Sequence, residues 1–115
     1  MQIPKPTAAD MDRFRACVPP DPRVGVKPMF GNLGAFVNGN MFMGLFGADI
    51  GIKLAPADAA ALMAMDGAGP FGPAERPMGG YVAMPPDVIG TAEGDRWIDL
   101  GLRYVAGLPP KAPKR

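Results

Sequence analysis

Alternating apolar and polar positions organise the middle of the chain, from residue 24 to residue 54. The pattern centres on Asn38-Gly39, a dipeptide that suits a two-residue type I′ turn because Asn and Gly tolerate positive φ at least cost. After this turn, residues 41–46 are apolar on both alternating sides, which is typical of a strand covered on both faces. The pattern predicts an antiparallel hairpin whose second strand is central in its sheet.

Two more segments extend this hairpin. Residues 24–30 form a predicted first strand, and Pro28 restricts it to a sheet edge because proline has no N–H to donate. A turn is expected over residues 31–34. Residues 50–54 alternate between apolar side chains and Gly51 or Lys53, which predicts a half-buried strand with one solvent-facing side. Together these segments predict a meander of three or four strands.

Three segments have the periodicity and end signals of helices. Thr7 and Asp10 have the spacing of a capping box, and Pro19-Pro20 ends the helix that follows. Residues 57–65 are nearly all strong helix formers, with Ala60, Leu62, Met63 and Met65 available for burial. The last helix starts near Thr91. Its main apolar stripe is predicted to contain Trp97, Leu100, Tyr104 and Leu108, with Ile98, Leu102 and Val105 beside it.

A segment rich in glycine and proline, residues 66–80, precedes a returning strand at residues 81–84. Phe71 and Met78 are expected to anchor this long loop to the body of the protein. The predicted fold class is α+β with two layers. An antiparallel sheet of about four to five strands, a meander plus a returning strand, packs against helices in the order α-β-β-β-β-α-β-α. We expect a single domain over residues 1–108 and a flexible, basic, proline-rich tail over residues 109–115.

Composition argues against catalysis by the common side-chain triads. The chain has no His, no Ser and a single cysteine, Cys17, so Ser-His-Asp and Cys-His mechanisms are impossible and zinc sites lose their commonest ligands. Asp95 and Asp99 have the spacing of an acid–base pair. A solvent-exposed helix face is the stronger interpretation, because Asp95 suits the first helical turn and Asp99 can meet Arg103. We therefore predict no catalytic residues, no metal and no cofactor.

Charge and targeting signals limit the possible classes of partner and the cellular location. Lys and Arg number 12 against 11 Asp and Glu, a net charge of +1, which argues against direct nucleic-acid binding. A local basic patch leaves that binding open; its members would be Arg23, Lys27, Arg76, Lys111, Lys114 and Arg115. The first residues lack a secretory apolar run, and residues 41–52 are too short for a membrane helix. We expect a cytoplasmic protein with no membrane partner, in which Cys17 is a packed thiol.

Three ordered motifs resemble the TfoX (Sxy) N-terminal domain family. The motifs are Lys27-x-Met29-Phe30-Gly31-x-x-Gly34-x-Phe36-x-Asn38-Gly39-x-Met41-Phe42, then Arg76-Pro77-Met78-x-Gly80-Tyr81, and, after a helix containing Trp97, Ala106-Gly107-Leu108-Pro109-Pro110-Lys111. The resemblance covers residues 23–111 and implies a two-layer α/β fold similar to secretion-chaperone-like proteins. It also implies kinship with bacterial regulators of DNA-uptake competence, which work with the cyclic-AMP receptor protein at promoters and carry a second, helical domain.

The resemblance and the missing catalytic groups predict a non-enzymatic interaction module, a transcriptional co-regulator. It would bind a protein partner, such as a transcription regulator, through a sheet edge or the loop of residues 71–81. The candidate partner-binding residues are Lys27, Phe71, Arg76, Met78 and Tyr81. An open sheet edge also favours a homodimer.

A second hypothesis from the sequence is a small-ligand binding protein. Its pocket would lie between the sheet and the helices and would be lined by Phe36, Phe42, Trp97 and Tyr104. Packing of these aromatic side chains in the core is the competing interpretation, because they lie on faces that must be covered.

Overall fold

A computed structural model describes residues 3–111. Its helices are α1 (Ala8–Cys17), α2 (Pro56–Met63) and α3 (Ala92–Ala106), and a 3₁₀ helix spans Pro86–Val88. Its strands are β1 (Val24–Met29), β2 (Asn32–Val37), β3 (Asn40–Phe46), β4 (Asp49–Lys53), β5 (Gly69–Pro70) and β6 (Tyr81–Ala83). Residues 112–115 of the predicted tail lie outside the described residues. The described part of the predicted tail contacts the β2–β3 hairpin, because the Lys111 N–H donates to the Asn38 carbonyl at 2.9 Å.

The six strands form one antiparallel sheet in the order β1-β2-β3-β4-β6-β5. This confirms the α+β class, the order of the predicted elements, the central place of β3 and the edge position of Pro28. The predicted count of four to five strands is too low, because Gly69 and Pro70 pair with Ala83 and Val82. A Gly-Pro dipeptide does not favour a strand in sequence, so β5 could be identified only from its pairing with β6 in the structure.

Two tight turns of the same conformation set the register of the first three strands. Phe30 and Gly31 have φ of 50° and 79°, and Asn38 and Gly39 have φ of 53° and 80°. The second turn is the predicted one. The turn predicted over residues 31–34 is wrong, since Asn32 already pairs with Met29 at the start of β2.

All three helices contribute to one core on one face of the sheet, which gives the protein its two layers. A register shift in the β2–β3 ladder leaves Phe42 unpaired, so both Phe42 and its neighbour Met43 are fully buried. Phe14 of α1, Leu62 of α2 and Ile98 of α3 pack into the same core. Met63, predicted to be available for burial, is 42% exposed, and Ala60 of the same predicted set is exposed as well.

Helix α3 packs directly on strand β4 at Gly101. A Cβ at this position would meet the side chain of Ile52, and it would lie 3.0 Å from the Lys53 carbonyl oxygen. The buried stripe of α3 therefore follows Gly101 and consists of Gly94, Ile98, Gly101, Leu102 and Val105. The main stripe predicted is wrong by part of a turn, since Trp97 and Tyr104 are half-buried and Leu100 is 37% exposed. The buried residues Ile98, Leu102 and Val105 are those predicted to lie beside that stripe.

Local capping signals place the starts of α1 and α3 as predicted, whereas α2 ends at Met63, two residues before its predicted end. The Thr7 N–H donates to Asp10 Oδ2 at 2.9 Å and the Asp10 N–H donates to Thr7 Oγ1 at 3.0 Å, which is a reciprocal capping box. Thr91 caps α3 by accepting from the Gly94 N–H at 3.2 Å. No helix within residues 3–111 has both the length and the apolar character that a membrane crossing requires.

Candidate interaction groove on the outer face of the sheet

The face of the sheet that points away from the helices, here called the outer face, has a row of glycines across its centre. Gly34 pairs with Gly44 across β2 and β3, and Gly44 pairs with Gly51 across β3 and β4. A row without side chains leaves a shallow trough in a sheet. The half-exposed, solvent-facing side predicted for β4 is therefore wrong at Gly51, which is buried by the loop that covers this trough.

The ring of Phe71 lies on this glycine row. A Cβ built on Gly51 would overlap ring atoms Cγ and Cδ1, and one built on Gly44 would lie 3.3 Å from ring atom Cζ. The ring also contacts its aromatic neighbours, edge-to-face with Phe46 at 6.2 Å between centroids and tilted against Tyr81 at 6.0 Å. Phe71 is only 2% exposed, which confirms that it anchors the loop.

Next to Phe71 the trough stays open and forms a groove of about 460 Å³, here called the outer groove. Its lining is almost wholly apolar and consists of Ile3, Met29, Phe30, Asn32, Leu33, Met41, Gly44, Leu45, Phe46, Phe71, Pro73, Arg76 and Met78. Three of its walls are methionines, whose unbranched thioethers adapt readily to the shape of an occupant. The groove can therefore hold an apolar group of variable shape.

The outer groove collects three of the five candidate partner-binding residues. Phe71, Arg76 and Met78 all line it. Tyr81 lies behind Phe71 and does not reach the groove, because its hydroxyl donates to the Met41 carbonyl at 2.8 Å. Lys27 lies outside the groove with its ammonium 4.7 Å from the centre of the Phe36 ring, a cation–π contact.

Phe30 is a groove residue that sequence reasoning missed. Its side chain is 79% exposed and its backbone is in the left-handed region. Such a backbone is uncommon for a bulky residue and marks a position where strain is retained for another reason. The sequence signal that could have identified Phe30 is the Phe30-Gly31 dipeptide between two alternating segments. A type I′ turn at this dipeptide places Phe30 at the exposed tip of the hairpin.

Arg76 is the charged residue in the lining of the outer groove. Three other arginines have a carboxylate oxygen within 4.0 Å: Arg13 meets Asp10 at 3.8 Å, Arg23 meets Asp21 at 2.8 Å and Arg103 meets Asp99 at 2.9 Å. Hydrogen bonds from Arg23 lower the pKa of Asp21 to about 2. Among the described residues, Arg76 has no carboxylate oxygen within 4.0 Å. The N–H groups of its guanidinium are therefore available to bind an anion.

Asn32, the other polar lining residue, has both of its amide atoms engaged within the protein. Its Oδ1 accepts from the Gly47 N–H at 2.8 Å, and its Nδ2 donates to the Pro4 carbonyl at 3.1 Å. It is 4% exposed and joins the N-terminal segment to the β3–β4 turn. Specific polar recognition in the groove thus depends on Arg76.

The pocket predicted between the sheet and the helices is wrong in its location. Phe42 is fully buried in the core, and Phe36 lies on the opposite face, where it contacts Lys27. Trp97 and Tyr104 pack against the core as partly buried side chains. These four aromatic residues therefore do not line a common cavity.

Both edges of the sheet carry a proline. Pro28 lies in β1 and Pro70 in β5. In the register of a two-residue hairpin, Val24, Val26 and Pro28 direct their backbone groups away from β2. The Val24 N–H is taken by the Asp21 carbonyl at 2.9 Å and Pro28 has none, so Val26 is left as the donor of this edge. Such an edge offers little to an added strand.

The acidic pair of α3 lies at a smaller hollow of about 290 Å³ beside the end of α1. Asp95 is exposed and Asp99 is engaged by Arg103, as the interpretation of a solvent-exposed face requires. Cys17 lines the same hollow, and burial raises the pKa of its thiol. Residues 3–111 contain no group of three or more potential metal ligands.

Comparison with known proteins identifies the family. A family model described as the TfoX N-terminal domain matches residues 18–104, which include the whole sheet, α2 and most of α3. No significant match was found among curated proteins or solved structures. The motifs around the Asn38-Gly39 turn and the loop before Tyr81 both lie within the matched range. The chain belongs to the TfoX N-terminal domain family.

Proposed function

We propose that this protein is a non-enzymatic interaction module that acts as a transcriptional co-regulator and binds a protein partner through the outer groove. One observation carries the proposal: Phe71, Arg76 and Met78, chosen from sequence as partner-binding residues, come together in one apolar groove. Membership of the TfoX N-terminal domain family, which is associated with competence regulation, supports a regulatory role. A partner that regulates transcription implies a cytoplasmic location.

Phe30 supplies the anchor for such a partner. It is an aromatic side chain exposed at the groove, and aromatic residues next to an apolar pocket are enriched among the hot spots of protein interfaces. Arg76 supplies a charged contact at the same groove. An acidic residue beside an apolar segment of the partner would complement both.

The groove is a better binding surface than the sheet edges. Pro28 and Pro70 remove backbone donors from both edges, which weakens recognition by strand addition. Homodimer formation through an edge, which the sequence also favours, requires the same donors. Side-chain recognition in the groove has no such requirement.

The test is an affinity purification of the tagged protein from a lysate of its source organism, with and without nuclease, read by mass spectrometry. The groove variant carries Phe30→Asp and Arg76→Glu, two exposed positions at which charge is tolerated. Met63→Asp is the matched control, because Met63 is an exposed apolar side chain on α2 in the helix layer. Phe71 is unsuitable for substitution because it is buried.

We expect the wild type and Met63→Asp to recover the same transcription regulator or polymerase subunit regardless of nuclease, and the groove variant to lose it. Direct binding of that purified partner should then show the same order of affinities. Recovery that survives in the groove variant would place the interface elsewhere. Recovery that disappears with nuclease would identify DNA as the bridge and would contradict a protein-mediated role.

A further inference from the structure

We propose that the outer groove is also a binding site for a small amphiphile, an apolar chain with one carboxylate, as in a fatty-acid anion. This goes beyond the proposed function, because a ligand in the groove requires no protein partner. The groove volume of about 460 Å³ lies within the range of about 300 to 1,000 Å³ that is usual for small-molecule sites.

The groove has the construction of a ligand site, with a backbone floor and side-chain walls. A Cβ on Gly34 would lie 2.8 Å from Met41 Sδ and 2.9 Å from Phe36 Cε1, so the side chains around this glycine already close over the strand. At Gly44, Phe71 and Met41 both approach to 3.3 Å. Gly44 therefore lines the groove with its backbone, whereas side chains cover Gly34, and the walls of the groove are apolar side chains.

The apolar part of the proposed ligand follows from the lining. Met29, Met41 and Met78 offer flexible thioethers, while Phe46 and Phe71 offer rigid ring surfaces. Flexible apolar walls suit an alkyl chain, which has no fixed shape and no polar group to satisfy. A ligand with several polar groups would leave them unpaired against this lining.

The carboxylate of the ligand follows from Arg76. Arg76 and Asn32 are the polar residues of the described lining, and both amide atoms of Asn32 are engaged by Gly47 and Pro4. Arg76 has no carboxylate partner among the described residues. A guanidinium binds a carboxylate through two parallel hydrogen bonds, which gives this anion an advantage over an uncharged head group.

The test titrates the full chain with 11-(dansylamino)undecanoic acid, a fluorescent fatty acid, and competes the bound probe with laurate or 1-dodecanol. Met78→Trp fills the groove, and Met63→Trp makes the same change on the exposed surface of α2. Arg76→Gln removes the guanidinium at the groove, and Arg96→Gln removes an exposed one on α3. Far-ultraviolet circular dichroism and the melting temperature confirm that each variant is folded.

We expect saturable binding of one probe per chain, displaced by laurate more strongly than by 1-dodecanol. Met78→Trp should weaken probe binding about tenfold, and Arg76→Gln should weaken laurate about tenfold relative to 1-dodecanol, since the charge-assisted hydrogen bonds to the carboxylate are lost. Both control variants should bind as the wild type does.

Three outcomes would overturn the proposal: no saturable probe binding, equal binding by Met78→Trp and Met63→Trp, or no preference of the wild type for laurate. None of these outcomes bears on the protein partner, which the affinity purification tests separately. Loss of the protein partner in the groove variant together with absent probe binding would show that the groove is an interface for a protein segment alone.

Discussion

The ring of Phe71 occupies the space that a side chain on Gly51 would need. This contact fixes the loop of residues 71–80 on the outer face and makes Phe71 one wall of the outer groove. The loop forms its own support nearby, because the Met78 N–H donates to the Phe71 carbonyl at 2.8 Å. One missing side chain on β4 thus determines the position of the candidate site.

Gly51→Ala should destabilise the protein by about 1 to 3 kcal/mol, the usual effect of overpacking, because a Cβ would displace the Phe71 ring. Gly25→Ala is the matched control, since Gly25 is also a strand glycine and a Cβ added there would have no neighbouring atom within 4 Å. Urea unfolding measures both free energies. Equal stability of the two variants would mean that the ring does not rest on Gly51.

Phe30→Asn should raise the free energy of unfolding by about 1 kcal/mol, because Asn accepts the left-handed backbone that Phe30 adopts at a cost. The Asn38-Gly39 turn is the internal reference, since it has nearly the same pair of φ angles. Thermal and urea unfolding check the gain. A less stable variant would show that packing of the Phe30 ring outweighs the backbone strain. The same substitution should weaken partner binding, which would separate the stability of the turn from its function.

The stability of the protein should fall between about pH 10 and pH 12 through Tyr81. Burial raises the pKa of Tyr81 from 10.0 to about 12, so the folded state holds the phenol proton more tightly than the unfolded chain. The resulting stabilisation is complete below pH 10 and is lost as the pH rises through the folded pKa. The difference in unfolding free energy between the wild type and Tyr81→Phe should therefore be constant below pH 10 and shrink above it. A difference that stays flat would mean that Tyr81 ionises as it does in the unfolded chain.

Pro28→Val should promote self-association, because it adds a backbone N–H to the exposed edge of β1. Light scattering over a concentration series measures the average mass of the variant and of the wild type. Pro70→Val applies the same change to β5 at the opposite edge. Masses that match the wild type at every concentration would show that these prolines do not limit edge pairing.

Local signals in the sequence were sufficient for most of the elements. Three of these signals are the Thr7–Asp10 capping box, the Asn38-Gly39 turn and the Thr91 cap. Each depends on residues within three positions of one another, so each can be predicted without knowledge of tertiary contacts. The edge position of Pro28 follows from chemistry alone, since proline has no N–H to donate.

The stripe of α3 shows where local reasoning ends. Periodicity identified the helix, but Gly101 determines which face of the helix is buried. The missing side chain at Gly101 lets the helix backbone approach Ile52 and Lys53. A glycine adds nothing to an apolar stripe in sequence. Its role appears only when another element lies against it.

The outer groove could be predicted from the sequence only in part. The sequence by itself determined the α+β class, the succession of the elements and the loop that carries Phe71, Arg76 and Met78, because periodicity, caps and turn residues are local properties. Tertiary structure decided the sixth strand, the burial of Phe71 on Gly51 and the exposure of Phe30. These features depend on which strands become neighbours, and contacts between residues distant in the chain leave no periodic signal in it.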